Sequence, residues 1–211
     1  MLFMWGVGIN IATGVIFGTP VEYGGYGYNN VQMGYLYFSP IIGTVIAEVF
    51  GHWFNDWTAR RYIHKHRGVF EPEVRLWPVY IAAFFTVPGL VIFGQSIFHH
   101  WHWIGVAAGW AVFSVGVMLT SVAVIAYSLD ALPMTPAEVA AWLNIARTMG
   151  GFIVGYFQEP WGNASGYDVS FGIQAVIVAA SVVPAILVHK YGHRLRTKSA
   201  AKNKNGYLRS M

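Results

Sequence analysis

The sequence predicts an all-α membrane protein, a polytopic bundle of six transmembrane helices. Hydrophobic residues make up 55% of the 211 residues, whereas Asp, Glu, Lys and Arg together make up 10%, against about 25% in ordinary soluble domains. The charged residues inside the chain are concentrated at 51–78, and the sequence on both sides of this stretch is apolar. Since one helix needs about 20 mainly apolar residues to cross a bilayer, the chain has room for about six spans.

The apolar runs place these six spans. We predict them, in chain order, over residues 1–18, 33–54, 77–98, 103–127, 136–157 and 169–189. The fifth begins at Pro136 because a proline has no N–H to leave unsatisfied in the first turn of a helix. The bundle therefore covers 1–189 with a charged loop at 55–76, and residues 190–211 form a basic tail.

The distribution of Lys and Arg predicts the orientation. The loop between the second and third spans holds five of them and the tail holds seven, whereas the first, third and fifth loops hold none. Because cytoplasmic loops carry the excess of Lys and Arg, we expect both termini in the cytoplasm of a multi-pass protein, most simply of the plasma membrane. The fifth loop then lies outside, and its Asn163-Ala-Ser sequence is a glycosylation acceptor.

Several functional classes lack support in this sequence. Without cysteine there is no disulfide framework or thiolate metal site, and we expect an interfacial cluster rather than a metal site at His99, His100 and His102. No phosphate loop, nucleophile elbow or other catalytic motif is present, so we predict no enzyme activity and no cofactor. The basic residues do not line a helix face with aromatic stacking residues, so we expect no nucleic acid partner.

Two groups of residues resemble the fungal major facilitator superfamily. The first, which resembles the loop between helices eight and nine of these transporters, comprises Gly51, Asp56, Arg60, Arg61 and residues 68–77. The second, which resembles helices ten to twelve, comprises residues 127–130, Glu138, Asn144, Arg147 and residues 152–175. One departure is Asn55, which stands where the superfamily pattern places an aspartate. The resemblance covers nearly the whole chain and implies the C-terminal six-helix half of a twelve-helix protein.

This resemblance implies secondary active transport of a small solute by alternating access. A drug, a polyamine, a sugar or a similar nutrient would fit, and proton coupling is one option. Because such proteins hold their substrate between two halves, we expect this chain to be a fragment whose partner is an N-terminal six-helix half, in the same chain or in a second subunit. Membrane lipids and the small-molecule substrate are the other expected partners. The alternative is a non-transporting six-helix membrane scaffold or assembly subunit.

Alternating access needs ion pairs that close one side of the bundle in one state and part in the other. The residues that we predict for this gating role are Asp56, Arg60, Arg61, Glu71, Glu73 and Arg75. The alternative is a solvated loop whose arginines only set the topology.

A second group is predicted to contact substrate or to couple transport. Arg147 lies inside the fifth span, where charge is expensive, and shares a helical face with Asn144. It could contact substrate or form an ion pair with Asp130. Glu48 lies four residues before His52, so it could carry a proton or pair at an interface. Polar residues that could line a cavity, or form hydrogen bonds between helices, include Asn10 and Tyr127.

Overall fold

The computed structural model describes residues 2–23, 25–66, 71–132 and 135–192. Six α-helices occupy these residues: α1 Leu2–Gly18, α2 Asn30–Lys65, α3 Trp77–Phe98, α4 Trp103–Ala131, α5 Pro136–Ser165 and α6 Tyr167–Ala180, with residues 182–192 also helical. Short 3-10 helices cover Val21–Tyr23 and Pro72–Leu76. The predicted all-α bundle of six helices is confirmed. Residues 68–70 of the superfamily motif and most of the basic tail lie outside the described part of the chain.

Four helical segments are long and apolar enough to cross a membrane. They are Asn30–Lys65, Pro72–Phe98, Trp103–Ala131 and Tyr167–Gly192. Helix α1 is apolar but has 17 residues, whereas α5 has 30 residues and carries Glu138, Arg147 and Glu159. The chain is therefore a multi-pass membrane protein.

Two helices extend two turns or more beyond their predicted ends, whereas α4 extends about one turn further, to Ala131. Helix α2 continues to Lys65, so residues 55–65 of the predicted charged loop are helical. Helix α5 continues to Ser165, so the predicted acceptor Asn163 lies in its last turn rather than in a loop. In both cases the charged or polar residues indicate where the helix leaves the membrane, and the helix itself continues beyond that point. Helix α5 ends only at Gly166, whose φ of +86° favours glycine.

Helix α4 lies at the centre of the packing. It packs against α3 on one side and α2 on the other, while α3 also packs against α6 and α1 packs against α5. Phe93 joins two of these interfaces, because its ring centroid lies 6.3 Å from that of Trp110 in α4 and 5.0 Å from that of Phe171 in α6.

Glycines allow α3 and α4 to approach until their backbones touch. A Cβ added at Gly89 of α3 would lie 2.5 Å from the backbone nitrogen of Phe113, and one added at Gly109 of α4 would lie 2.7 Å from that of Phe93. On the other side of α4, a Cβ at Gly43 of α2 would lie 2.5 Å from the Ala111 carbonyl oxygen. Small residues at helix interfaces are typical of membrane bundles, where close backbone packing replaces the hydrophobic effect.

We predict that Gly89→Ala destabilises the protein by about 1–3 kcal/mol, the usual cost of overpacking, because α3 must move away from the α4 backbone. The matched control is Gly14→Ala, since nothing lies within 4 Å of a Cβ at Gly14. Alanine is the better helix former, so the control should melt at the same temperature or higher. Thermal unfolding of the two detergent-purified variants measures their melting temperatures. Equal values for Gly89→Ala and Gly14→Ala would contradict the close contact between α3 and α4 at Gly89.

Candidate functional site

A network centred on Arg75 joins three segments at one end of the bundle. We call this the charged end; it comprises the last turns of α2, the helix Pro72–Leu76 and the last turns of α4. The Arg75 Nε donates to Oδ2 of Asp130. Its Nη1 donates to Oδ1 of Asn55 at 2.8 Å and lies 3.5 Å from Oδ1 of Asp56. The Arg75 side chain is 21% exposed, so this guanidinium is partly shielded from solvent.

Spacing along α2 explains why Asn55 reaches the network. From Gly43 onwards the buried positions of this helix recur every fourth residue, at Gly43, Ala47, Gly51, Asn55 and Ala59. Residues four apart lie on one face of a helix, so the stripe of small residues that packs on α4 carries Asn55 to the charged end.

Asn55 was not among the predicted site residues. Its amide oxygen accepts from Arg75 at the position where the superfamily pattern has an aspartate, and it is 2% exposed. Its four-residue spacing from Gly51 was the signal that could have identified it.

Two acidic residues that were predicted for gating, Glu71 and Glu73, lie beside this network. Glu71 accepts a hydrogen bond from the Tyr62 hydroxyl at 2.9 Å. Glu73 is 5% exposed, and a Cβ added at Gly192 would lie 3.0 Å from its Oε1 and 3.2 Å from the hydroxyl of Tyr127. Both acids therefore lie within the charged end.

The paired arginines of α2 lie outside the Arg75 network. Arg60 and Arg61 are both exposed. The Arg61 guanidinium carbon lies 5.1 Å from the ring centroid of Trp57, a cation–π contact on the same helix. Asp56 and Arg75 are two predicted gating residues that the structure brings together, at 3.5 Å.

Arg147 lines a cavity of about 460 Å³ between α1, α3, α4, α5 and α6. Its Nη2 donates to the hydroxyl of Ser121 in α4 at 2.6 Å. Its guanidinium carbon lies 4.2 Å from the ring centroid of Phe3 in α1. Tyr127 also lines this cavity, so two of the predicted substrate residues share it.

Most other polar groups of the cavity wall are already bonded to their own helices. The hydroxyls of Thr86, Thr120, Ser128 and Ser181 each donate to a carbonyl three or four residues earlier, at 2.6–3.0 Å. The remaining described lining residues are mainly aliphatic. Arg147 therefore supplies the one formal charge among the described residues of the wall.

The ion pair with Asp130, one of the two alternatives for Arg147, is not formed in this structure. Asp130 binds Arg75, and Arg147 binds Ser121. Ser121 and Asp130 are nine residues apart in α4, which separates them by about 13 Å along the helix axis. The estimated depths of Arg147 and Asp130 in the membrane were compatible with an ion pair, but the packing of the helices keeps the two side chains apart.

Three other residues that were predicted to contact substrate or to couple transport lie outside the cavity. Asn144 is exposed, and so is Asn10, whose side chain donates to the Gly6 carbonyl at 2.7 Å. Glu48 lies 3.4 Å from Nε2 of His52, and these side chains are 45% and 70% exposed. These two side chains thus contact each other on the outer surface of α2.

Comparison with known proteins identifies relatives for most of this chain. It is 28% identical over 178 residues to the probable drug/proton antiporter YHK8 of Saccharomyces cerevisiae, an alignment that covers 82% of this chain and 34% of the relative. It is 30% identical over 168 residues to the MFS antiporter QDR3 of Candida albicans, covering 79% and 24%. The chain is a relative of fungal major facilitator superfamily transporters. The multidrug transporter mdrA of Aspergillus fumigatus, from the same superfamily, is 28% identical over 82% of the chain and 29% of the relative.

The chain spans about a quarter to a third of the length of these superfamily relatives. No protein-family model and no solved structure matches it.

We predict that Asp130→Ala destabilises the charged end more than Asp56→Ala does. Asp130 forms a direct, partly shielded hydrogen bond with Arg75, and such bonds to charged groups contribute about 1.5–3 kcal/mol. Asp56 is 57% exposed and 3.5 Å away, so its loss should cost less than about 1 kcal/mol.

Both variants remove one carboxylate from the same arginine, so each is the control for the other. Melting temperatures of the purified proteins measure the difference. Equal losses, or a larger loss for Asp56→Ala, would contradict this ranking of the two contacts.

Proposed function

We propose that this chain forms part of a secondary active transporter that moves a small solute by alternating access, with its charged end in the cytoplasm. The observation that supports this best is the Arg75 network. It joins α2, Pro72–Leu76 and α4 through side chains alone. Such a connection can open without unfolding any helix, which is what a gate requires.

In this proposal Arg75 is the closing element of the gate. With its bonds to Asp130 and Asn55 in place, α2 and α4 are held together at the charged end. Opening requires Arg75 to release one of these partners. Because the Asp130 side chain is 31% exposed, water can form hydrogen bonds with its carboxylate when Arg75 releases it. A weaker or fully exposed pair would not hold the closed state, since surface ion pairs contribute about 0–1 kcal/mol.

Superfamily transporters hold their substrate between two six-helix halves. We therefore propose that this chain is the C-terminal half and that an N-terminal half completes the path. Asn10, Asn144 and Glu48 would face that half, because they lie on the outer surface of this bundle. Glu48, which lies beside His52, is the candidate for proton coupling, because acidic residues and histidines form the proton relays of membrane transporters.

The relatives narrow the proposed solute. Names such as drug/proton antiporter and multidrug transporter favour a drug-like solute over a polyamine or a sugar. Among the residues of this chain, Arg147 and Tyr127 are the proposed solute contacts, because both line the cavity.

We expect Asp130→Ala and Arg75→Ala each to reduce drug efflux from yeast cells that express the protein with its native flanking sequence. If the closed state loses about 1.4 kcal/mol of stability, the ratio of closed to open protein falls about tenfold. Exchanging the charges, Arg75→Asp with Asp130→Arg, should restore part of the activity at equal expression. If the unaltered protein moved none of a panel of drugs, the scaffold alternative would be favoured.

The proposed orientation can be tested because the chain has no cysteine. Single cysteines at Tyr23 and at His64, both exposed and at opposite ends of the bundle, can be labelled with a membrane-impermeant maleimide. We expect Tyr23→Cys to react in intact cells and His64→Cys to react only after permeabilisation. The reverse pattern would place the charged end outside the cell.

A further inference from the structure

The Arg147 cavity contains a positive charge for which the described residues supply no counter-ion. Arg147 takes part in none of the ion pairs that the structure shows among the described residues, such as Arg75–Asp130 and His52–Glu48. Arg147 instead contacts a neutral hydroxyl and an aromatic ring. It lies eleven residues after Pro136, so it is about 16 Å along α5 from that end. An unpaired charge at such a depth is costly unless a ligand or a partner neutralises it.

We propose that this cavity binds an organic anion, a molecule with an apolar body and one acidic group such as a carboxylate. A guanidinium has five N–H donors in a planar fork that matches a carboxylate. One of these donors is used by Ser121. The ring of Phe3 lies over one side of the guanidinium, which leaves its edge as the direction from which an acidic group can bind.

The cavity wall suits the rest of such a molecule. Most of the described lining residues are aliphatic, among them Leu76, Val79, Val117 and Val182, and the hydroxyl groups bonded to their own helices do not compete for the ligand. The volume of about 460 Å³ falls within the range of about 300–1,000 Å³ for small-molecule sites. A cationic molecule of the same shape would bring like charge to Arg147.

This inference names the solute class of the proposed transport site, and it rests on the proposed function only in calling the bound molecule a transported solute. The same chemistry also belongs to an anionic lipid, whose acidic headgroup is attached to apolar chains. A binding experiment can separate the two sources.

The test uses the full chain in nanodiscs of phosphatidylcholine, with radiolabelled decanoate as the probe and empty nanodiscs as background. Decanol and decylammonium share its alkyl chain and differ in the charged group. We expect decanoate to bind saturably, and decanol and decylammonium to compete at least tenfold more weakly than unlabelled decanoate. Arg147→Gln should weaken decanoate binding at least tenfold, Arg147→Lys should retain most of it, and Lys65→Gln, which removes a charge outside the cavity, should not change it.

Equal competition by all three decyl compounds, or unchanged decanoate binding in Arg147→Gln, would overturn the inference. Retained binding in Arg147→Lys shows that a loss in Arg147→Gln does not come from misfolding. If phosphatidylglycerol in the nanodiscs displaces decanoate from the unaltered protein, the anion site is supported and membrane lipid is its source. If it does not, a free organic acid is supported.

The outcome is independent of the efflux assay. Charge-selective decanoate binding without efflux would reject the transport proposal and support the anion site. Efflux without charge-selective binding would support the transport proposal and reject the anion site.

Discussion

The close approach of α4 to α2 and α3 is the constraint on which the rest of this bundle depends. Gly43 on α2 and the Gly89 and Gly109 pair between α3 and α4 let backbones meet where any larger residue would separate them. Those contacts fix the rotation of each helix about its axis. Because the small-residue stripe of α2 continues to Asn55 at the same spacing, the rotation that closes the middle of the bundle also brings Asn55 to Arg75. The charged end is thus a consequence of packing several turns away.

The two partly buried arginines have different surroundings, and this difference separates their chemistry. Arg75 is surrounded by two carboxylates and an amide oxygen contributed by two helices. Arg147 contacts one hydroxyl and one ring in a mainly aliphatic cavity. A guanidinium with several protein acceptors is suited to hold segments together, whereas one with a single neutral acceptor retains donors for another molecule. The same side chain can therefore close a gate at one position and recognise a ligand at another.

The sequence predicted much of the fold, and the reasons for its errors are physical. The bounds of α3 and the start of α4 agree with the prediction because a turn of histidines and tryptophan interrupts the apolar sequence between them. The ends of α2 and α5 were placed too early. Charge marks where a helix leaves the membrane, but the backbone hydrogen bonds of the helix continue into water. Hydropathy therefore identifies spans more reliably than it identifies helix ends.

The candidate site was predicted in part for a related reason. Asp56 and Arg75 could be identified because charged residues are rare in this chain. Ser121 could not, since a neutral polar residue gives no sign of its partner until the helices are packed. For Asn55, the spacing from Gly51 indicates burial but not the residue that it binds. The sequence left two alternatives for Arg147, substrate contact or a pair with Asp130, because the depth of a residue along a helix does not fix the direction in which it points. That direction depends on long-range packing, which periodicity within one segment does not describe.

The length of α2 gives the bundle a mechanical property. Its 36 residues extend for about 54 Å, well beyond a hydrocarbon core of about 30 Å. The Glu48–His52 pair and the contacts of Asn55 and Asp56 lie on this one rod, about two turns apart, and its proline, Pro40, lies before both. Helix α2 has no proline between these two groups of contacts. A helix without an internal break moves as one body, so a tilt of the middle of α2 would displace its charged end as well.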